Sequence, residues 1–132
     1  MTRPSFPTRR AFLQRTLYAL VGVAVAGGCA RDRPSFAAAL AEPALLSVLG
    51  ATRVREIGLA YLRATPTEST APALRSAIAQ GARQQRRRPW SPDPSLDALI
   101  AADFTEGRVV FPAGWMLSVN EARQCALFAL QG

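Results

Sequence analysis

The sequence predicts a mainly α-helical protein: one small domain of four to five short helices, with a β-hairpin before the last helix, after an N-terminal signal peptide. Three observations predict it. From Pro43 to Leu130 the apolar residues recur mainly at i, i+3, i+4 and i+7, the spacing of one helix face, and seldom alternate as in a half-buried strand. Glycine and proline interrupt that pattern at helix-length intervals. The one clear exception is Arg108–Leu117, where two short apolar runs flank Pro112-Ala113-Gly114. With 132 residues the chain has room for one domain and no more. Residues 1–28 read as the leader, 29–42 as a tether and 43–132 as the helical domain.

The leader comes first. Thr8-Arg9-Arg10-Ala11-Phe12-Leu13-Gln14 precedes a soft apolar run, Thr16 to Gly28, that stops at Cys29. Only fifteen residues separate Arg15 from Arg31, fewer than the roughly twenty a helix needs to cross a hydrocarbon core. A permanent span is therefore not expected. The segment resembles the signal peptides of the twin-arginine (Tat) export route, whose pattern is Ser/Thr-Arg-Arg-x-Phe-Leu-Lys. Thr8, Arg9, Arg10, Phe12 and Leu13 match it, and Gln14 stands in the Lys position. The end of the leader admits two readings. Val25-Ala26-Gly27-Gly28-Cys29 resembles a lipobox, where small residues precede a cysteine that receives a diacylglyceryl thioether; Ala26 stands where that motif usually has Leu or Val. Plain signal-peptidase cleavage after Ala26 or after Ala30 is the alternative. Lipidation of Cys29, with its two or three acyl chains, would anchor the chain stably.

The helical pattern starts near Pro43, which suits a first turn, with Ala44, Leu45, Val48 and Leu49 on one face and Gly50 as the stop. Thr52 is placed to cap a second helix to about Ala64, with Val54, Ile57, Tyr61 and Leu62 inward and Arg53, Glu56 and Arg63 outward. Thr65-Pro66 ends it, and 67–71 is a polar connector. Pro72 opens a third helix carrying Leu74 and Ile78, expected to end at Gly81. Residues 82–95, with Arg83, Arg86, Arg87, Arg88 and three prolines, read as the longest irregular segment. Ser95 caps a fourth helix in which Leu96, Leu99, Ile100 and Phe104 face inward, and Gly107 terminates it. After the hairpin, Ser118-Val119-Asn120-Glu121 matches a capping box. The last helix, 119–130, buries Ala122, Ala126, Leu127 and Leu130.

Composition excludes several chemistries. There is no histidine, which removes Ser-His-Asp and Cys-His nucleophilic sites, His-ligated metals and axial-His haem. Cys29 and Cys125 do not make a disulfide framework. The formal charge of +7 shrinks once the leader goes, because four of the sixteen arginines and none of the nine acids lie there. The remaining +3 is mild, and no nucleic-acid partner is expected.

Four groups carry candidate chemistry. The Arg83–Arg88 run with Trp90 admits phosphate contact, to nucleic acid or to anionic lipid, against the plainer reading of a solvated loop. Among Asp93, Asp97, Asp103, Glu106 and Glu121, only Asp103 and Glu106 share a helix face as a carboxylate pair. Beside Arg108 they read as surface residues. Cys125 reads as a small buried hydrophobe; a reactive thiolate would need a cation, and Arg123 is the nearest in sequence. Phe111, Trp115 and Met116 read as packing under the last helix, with a partner-binding patch as the other possibility. No catalytic, cofactor-binding or metal-binding residue is assigned and no cofactor is expected. The assigned residues are those of export, Arg9, Arg10, Phe12 and Leu13, and of anchoring, Cys29.

The Tat resemblance implies folded cargo, passed by the Tat translocase and often assembled with a cofactor or partner before export. No cofactor ligands are recognisable here, so a partner is the expected reason. The chain reads as a small non-catalytic accessory subunit or companion of an exported enzyme, an oxidoreductase by preference, in the periplasm or cell envelope. A free-standing structural or surface lipoprotein is the alternative, and a small enzyme ranks last. The layout is similar to small Tat-exported subunits of membrane-bound sugar-acid dehydrogenases, a likeness that no motif of the mature chain carries. Replacing Arg9 and Arg10 by lysine is expected to keep the precursor inside the cell, measured by fractionation. Unchanged export would contradict the Tat route.

Overall fold

The structure, a computed structural model, describes residues 35–89 and 95–132. The elements run α1 (Phe36–Ala41), α2 (Leu46–Ala64), a 3-10 turn (Pro66–Glu68), α3 (Ala71–Arg86) and α4 (Leu96–Thr105). Then follow β1 (Val109–Val110), a second 3-10 turn (Pro112–Gly114), β2 (Leu117–Ser118) and α5 (Val119–Leu130). The predicted fold class is the one observed: mainly helical, with one antiparallel hairpin ahead of the last helix. In the hairpin Val109 pairs with Ser118 and Val110 with Leu117.

The last helix is the hub. All four other helices and both strands contact α5. One side of it carries Ala122, Ala126 and Leu127 into a cluster with Tyr61, Leu74, Ile78, Leu96 and Leu99. On another side Cys125 meets Val54, Ile57 and Leu117. The closest approach is to α2. A Cβ on Gly58 would lie 2.1 Å from the carbonyl oxygen of Cys125 and 2.9 Å from the amide nitrogen of Ala126. Both obstructing groups are backbone, so no rotamer change relieves the overlap. Gly58 follows directly on the inward-facing Ile57, and its lack of a side chain sets how closely α2 and α5 can pack.

Gly50 divides α2. Its φ of 76° and ψ of 162° form a combination open essentially to glycine alone, and the helix restarts at Ala51. The predicted stop at Gly50 is therefore real, while the cap position before Ala51 is held by Gly50 itself, not by Thr52. Val54, Ile57 and Tyr61 are buried as their spacing requires, and Arg53 pairs with Glu56 on the exposed side at 2.7 Å.

Two boundaries and one burial pattern differ from the sequence reading. The expected tether, 29–42, includes the helix α1, so the helical domain begins before Pro43. The segment Phe36–Ala41 is alanine-rich and helix-favouring, Ser35 caps it, and Phe36, Ala39 and Leu40 pack against the core. The carbonyl of Ala39 also accepts a 2.6 Å hydrogen bond from Gln124 Nε2. Next, α3 does not stop at Gly81 but runs on to Arg86. Gly81 faces α4, with Leu99 Cδ2 at 3.8 Å from where its Cβ would be, and the alanine, glutamines and arginines beyond it favour helix. Finally, Phe104 is 44% exposed and Leu130 42% exposed, although both were expected inside. On α4 the inward row is Leu96, Leu99 and Asp103, which leaves Phe104 one step off it.

Gly58→Ala is expected to lower the stability of the domain. The helix-propensity gain of about 1 kcal/mol is outweighed by an overpacking cost of about 3 kcal/mol or more, since only backbone movement can relieve the clash. A thermal melt should show Tm reduced by about 10 °C or more. An unchanged or raised Tm would mean that the two helices do not cross at this residue.

Candidate functional site

The assigned export residues Arg9, Arg10, Phe12 and Leu13, and the lipidation candidate Cys29, lie outside the described residues, as do Trp90 and Asp93. The other candidates can be placed one by one.

Asp103 is 1% exposed and not a surface residue. Its carboxylate sits at the N-terminus of α5. Oδ2 accepts from the backbone N–H of Asn120 at 2.9 Å and from Asn120 Nδ2 at 2.8 Å, while Oδ1 accepts from Arg108 Nε at 2.8 Å. The first N–H groups of a helix have no partner within it. In α5 they are all supplied from outside: Val119 N–H donates to the Arg108 carbonyl, Asn120 N–H to Asp103, and Glu121 N–H to Ser118 Oγ. Glu121 returns the capping-box bond by accepting from Ser118 N–H at 2.9 Å. A buried carboxylate at the positive end of a helix dipole, held by an arginine and an asparagine, is a structural cap.

The expected Asp103–Glu106 carboxylate pair is therefore not a catalytic pair. Arg108 lies between them, with Nε on Asp103 and Nη1 on Glu106 at 2.8 Å. The other oxygen of Glu106 accepts from Arg88 at 2.6 Å. That hydrogen bond holds the Glu106 carboxyl below its usual range, opposite to what a general acid at neutral pH needs.

A second polar seam crosses the domain. Arg123 grips Glu68 through two bonds, Nε to Oε2 at 2.8 Å and Nη2 to Oε1 at 2.7 Å. The hydroxyl of Tyr61 donates to the same Glu68 Oε2 at 2.7 Å. These bonds join α2, the 3-10 turn Pro66–Glu68 and α5. Arg123 holds the Glu68 carboxyl below its usual value of 4.5. Burial, together with the bond to Glu68, pushes the Tyr61 hydroxyl up to about 12.

Cys125 is fully buried, and Arg123 is turned away to Glu68. Desolvation, with the charge of Glu121 adding to it, pushes the thiol up to about 12. Such a thiol is neither nucleophile nor metal ligand at neutral pH. Among the described residues there is no group of three or more His, Cys, Asp or Glu placed to hold a metal.

Two surface groups remain. Arg83 and Arg86 lie in the last turn of α3, where cations suit the helix dipole, and Arg87 and Arg88 follow directly. This part of the expected irregular segment is thus helical. The hairpin presents the second group: Phe111 is 66% exposed, Trp115 40% and Met116 60%. They were expected beneath α5. Leu117 and Pro112 fill the inward positions instead, and the turn leans on α2. A two-residue strand pair has too few inward places for all its large apolar residues, a surplus that could have been counted from the sequence. Ala113 at φ 52° and Gly114 at φ 81° form the tight corner that separates Phe111 from Trp115.

No family model, no curated protein and no solved structure matches the chain.

The Glu68 bonds set a pH dependence. Because the folded state lowers the Glu68 pKa, their stabilisation is fully present above pH 4.5 and is lost as pH falls through the lower folded value. Glu68→Gln should therefore melt below the parent at neutral pH, with the two Tm curves converging in acid. A gap that stays constant with pH would show that the Glu68 charge contributes nothing.

Proposed function

We propose that this protein is an exported, lipid-anchored, non-catalytic companion of an exported enzyme, by preference an oxidoreductase. Export through the Tat route rests on Arg9, Arg10, Phe12 and Leu13, and anchoring in the cell envelope on Cys29. The observation that supports a partner is the exposed group Phe111, Trp115 and Met116 on the hairpin.

A domain of this size has a use for every large apolar side chain in its core. Val48, Leu59, Phe104 and Leu130 are exposed at scattered places, whereas three exposed apolar side chains gather on one hairpin, whose base is fixed by strand pairing and by the Ser118–Glu121 box. Tryptophan, phenylalanine and methionine are enriched at protein interfaces, and tryptophan also among the residues that carry most of the binding energy. A rigid platform also spares part of the ordering cost of association. The charged side chains that a catalytic reading would use are meanwhile occupied. Asp103 caps α5, Glu106 is held by two arginines, and Glu68 and Arg123 hold each other.

Native purification in mild detergent should bring down a stoichiometric larger enzyme subunit. Trp115→Ala should weaken that association by about 30-fold, as expected for an interface anchor worth about 2 kcal/mol. Its melt should stay close to that of the parent. A protein that elutes alone under the same conditions would instead support a free-standing lipoprotein with a structural role.

A further inference from the structure

We propose that the face formed by α1 and the adjoining side of α3 is a docking surface for an anionic phospholipid bilayer, with Arg75, Arg83 and Arg86 meeting lipid phosphates and the half-buried Phe36 lining the cleft beside Arg83 and Arg86. Three observations carry this.

The first is shape. Residues 75, 79, 82, 83 and 86 recur at i, i+4, i+7, i+8 and i+11, so they share one side of α3. An open cleft of about 280 Å³ is lined there by Phe36, Ala79, Ala82, Arg83 and Arg86. A second, of about 150 Å³, has Ala37, Leu40 and Arg75 in its wall. Each cleft touches α1, and each combines an apolar floor with an arginine rim. That combination suits an amphiphile with an anionic head.

The second is charge. Arg53, Arg88, Arg108 and Arg123 are each paired with a carboxylate. Arg75, Arg83 and Arg86 are exposed and, like Arg55, Arg63 and Arg87, have no carboxylate within ion-pair distance among the described residues; of these six, only Arg75, Arg83 and Arg86 line the two clefts. They are cations left for an external anion.

The third is reach. Cys29 precedes Phe36 by seven residues, which span at most about 25 Å even when fully extended. An acylated Cys29 would hold α1 close to the membrane, with Arg31 and Arg33 on the same short segment. This third point rests on the anchored reading; the first two do not.

The test is vesicle co-sedimentation of the exported protein, with phosphatidylcholine vesicles compared to vesicles that also contain phosphatidylglycerol. Binding should increase with phosphatidylglycerol and fall with salt. Each arginine near such a surface contributes about fivefold, so Arg83→Gln with Arg86→Gln should remove about 25-fold of the phosphatidylglycerol-dependent part. The two side chains are exposed, and the double variant should melt as the parent does. Removing the same charge from α2, by Arg53→Gln with Arg63→Gln, should leave binding nearly unchanged. An equal loss there would reduce the effect to net charge and overturn the proposal. So would a parent indifferent to phosphatidylglycerol, or poly-glutamate binding as tight as the anionic vesicles. A protein without acyl chains would refute the anchor alone, because the arginine-dependent increment is read equally well without it.

Discussion

The contact between Gly58 and the backbone at Cys125 is the constraint on which the rest of the domain depends. It lets α2 approach α5 closely enough for Val54 and Ile57 to share a cluster with Cys125. With α2 in place, α5 is enclosed on several sides by the other helices. A buried helix must have its end groups satisfied by protein rather than water. That requirement explains why Asp103, a residue type rarely fully buried, points inward. The close crossing and the buried carboxylate are two consequences of one choice, to place the last helix at the centre.

The polar seams follow from the same choice. Burying a charge is costly unless it is paired and hydrogen-bonded. Asp103 has three donors, and Glu68 has an arginine fork and a tyrosine hydroxyl. These groups fix register: they tell α5 where it begins and tie it to α2 and α4. Because they are used in this way, they are poor material for catalysis. Distinctive chemistry therefore lies at two surfaces, the apolar hairpin and the arginine-edged clefts beside α1.

Much of the fold is legible from local signals. The Ser118–Glu121 box, the Ser95 cap, the break at Gly50 and the inward positions Val54, Ile57, Tyr61, Leu74 and Ile78 all follow from spacing and side-chain chemistry. What escapes such a reading is decided by contacts between elements distant in sequence. Asp103 stands at i+4 from Leu99, an inward position, but its charge argues for the surface until Asn120 and Arg108 are brought beside it. Gly81 reads as a stop because its packing against Leu99 is not visible in sequence. The fragment Phe36–Ala41 reads as a tether because six residues offer too few turns to establish a face without the core that receives them. Phe111 and Trp115 are misplaced for the opposite reason: size and apolarity suggest a core position that the short hairpin cannot provide.

The two surfaces acquire a common purpose if the domain is held by its N-terminus. The α3 arginines and the clefts beside α1 would then face lipid, while the hairpin stays available to a neighbouring subunit. That arrangement depends on Cys29. The most direct measurement is the intact mass of the protein recovered from the cell envelope. A chain beginning at Cys29 and carrying a diacylglyceryl group, with or without a third acyl chain, is the expected result. A chain beginning at Gly27 or Arg31 with no added lipid would contradict it.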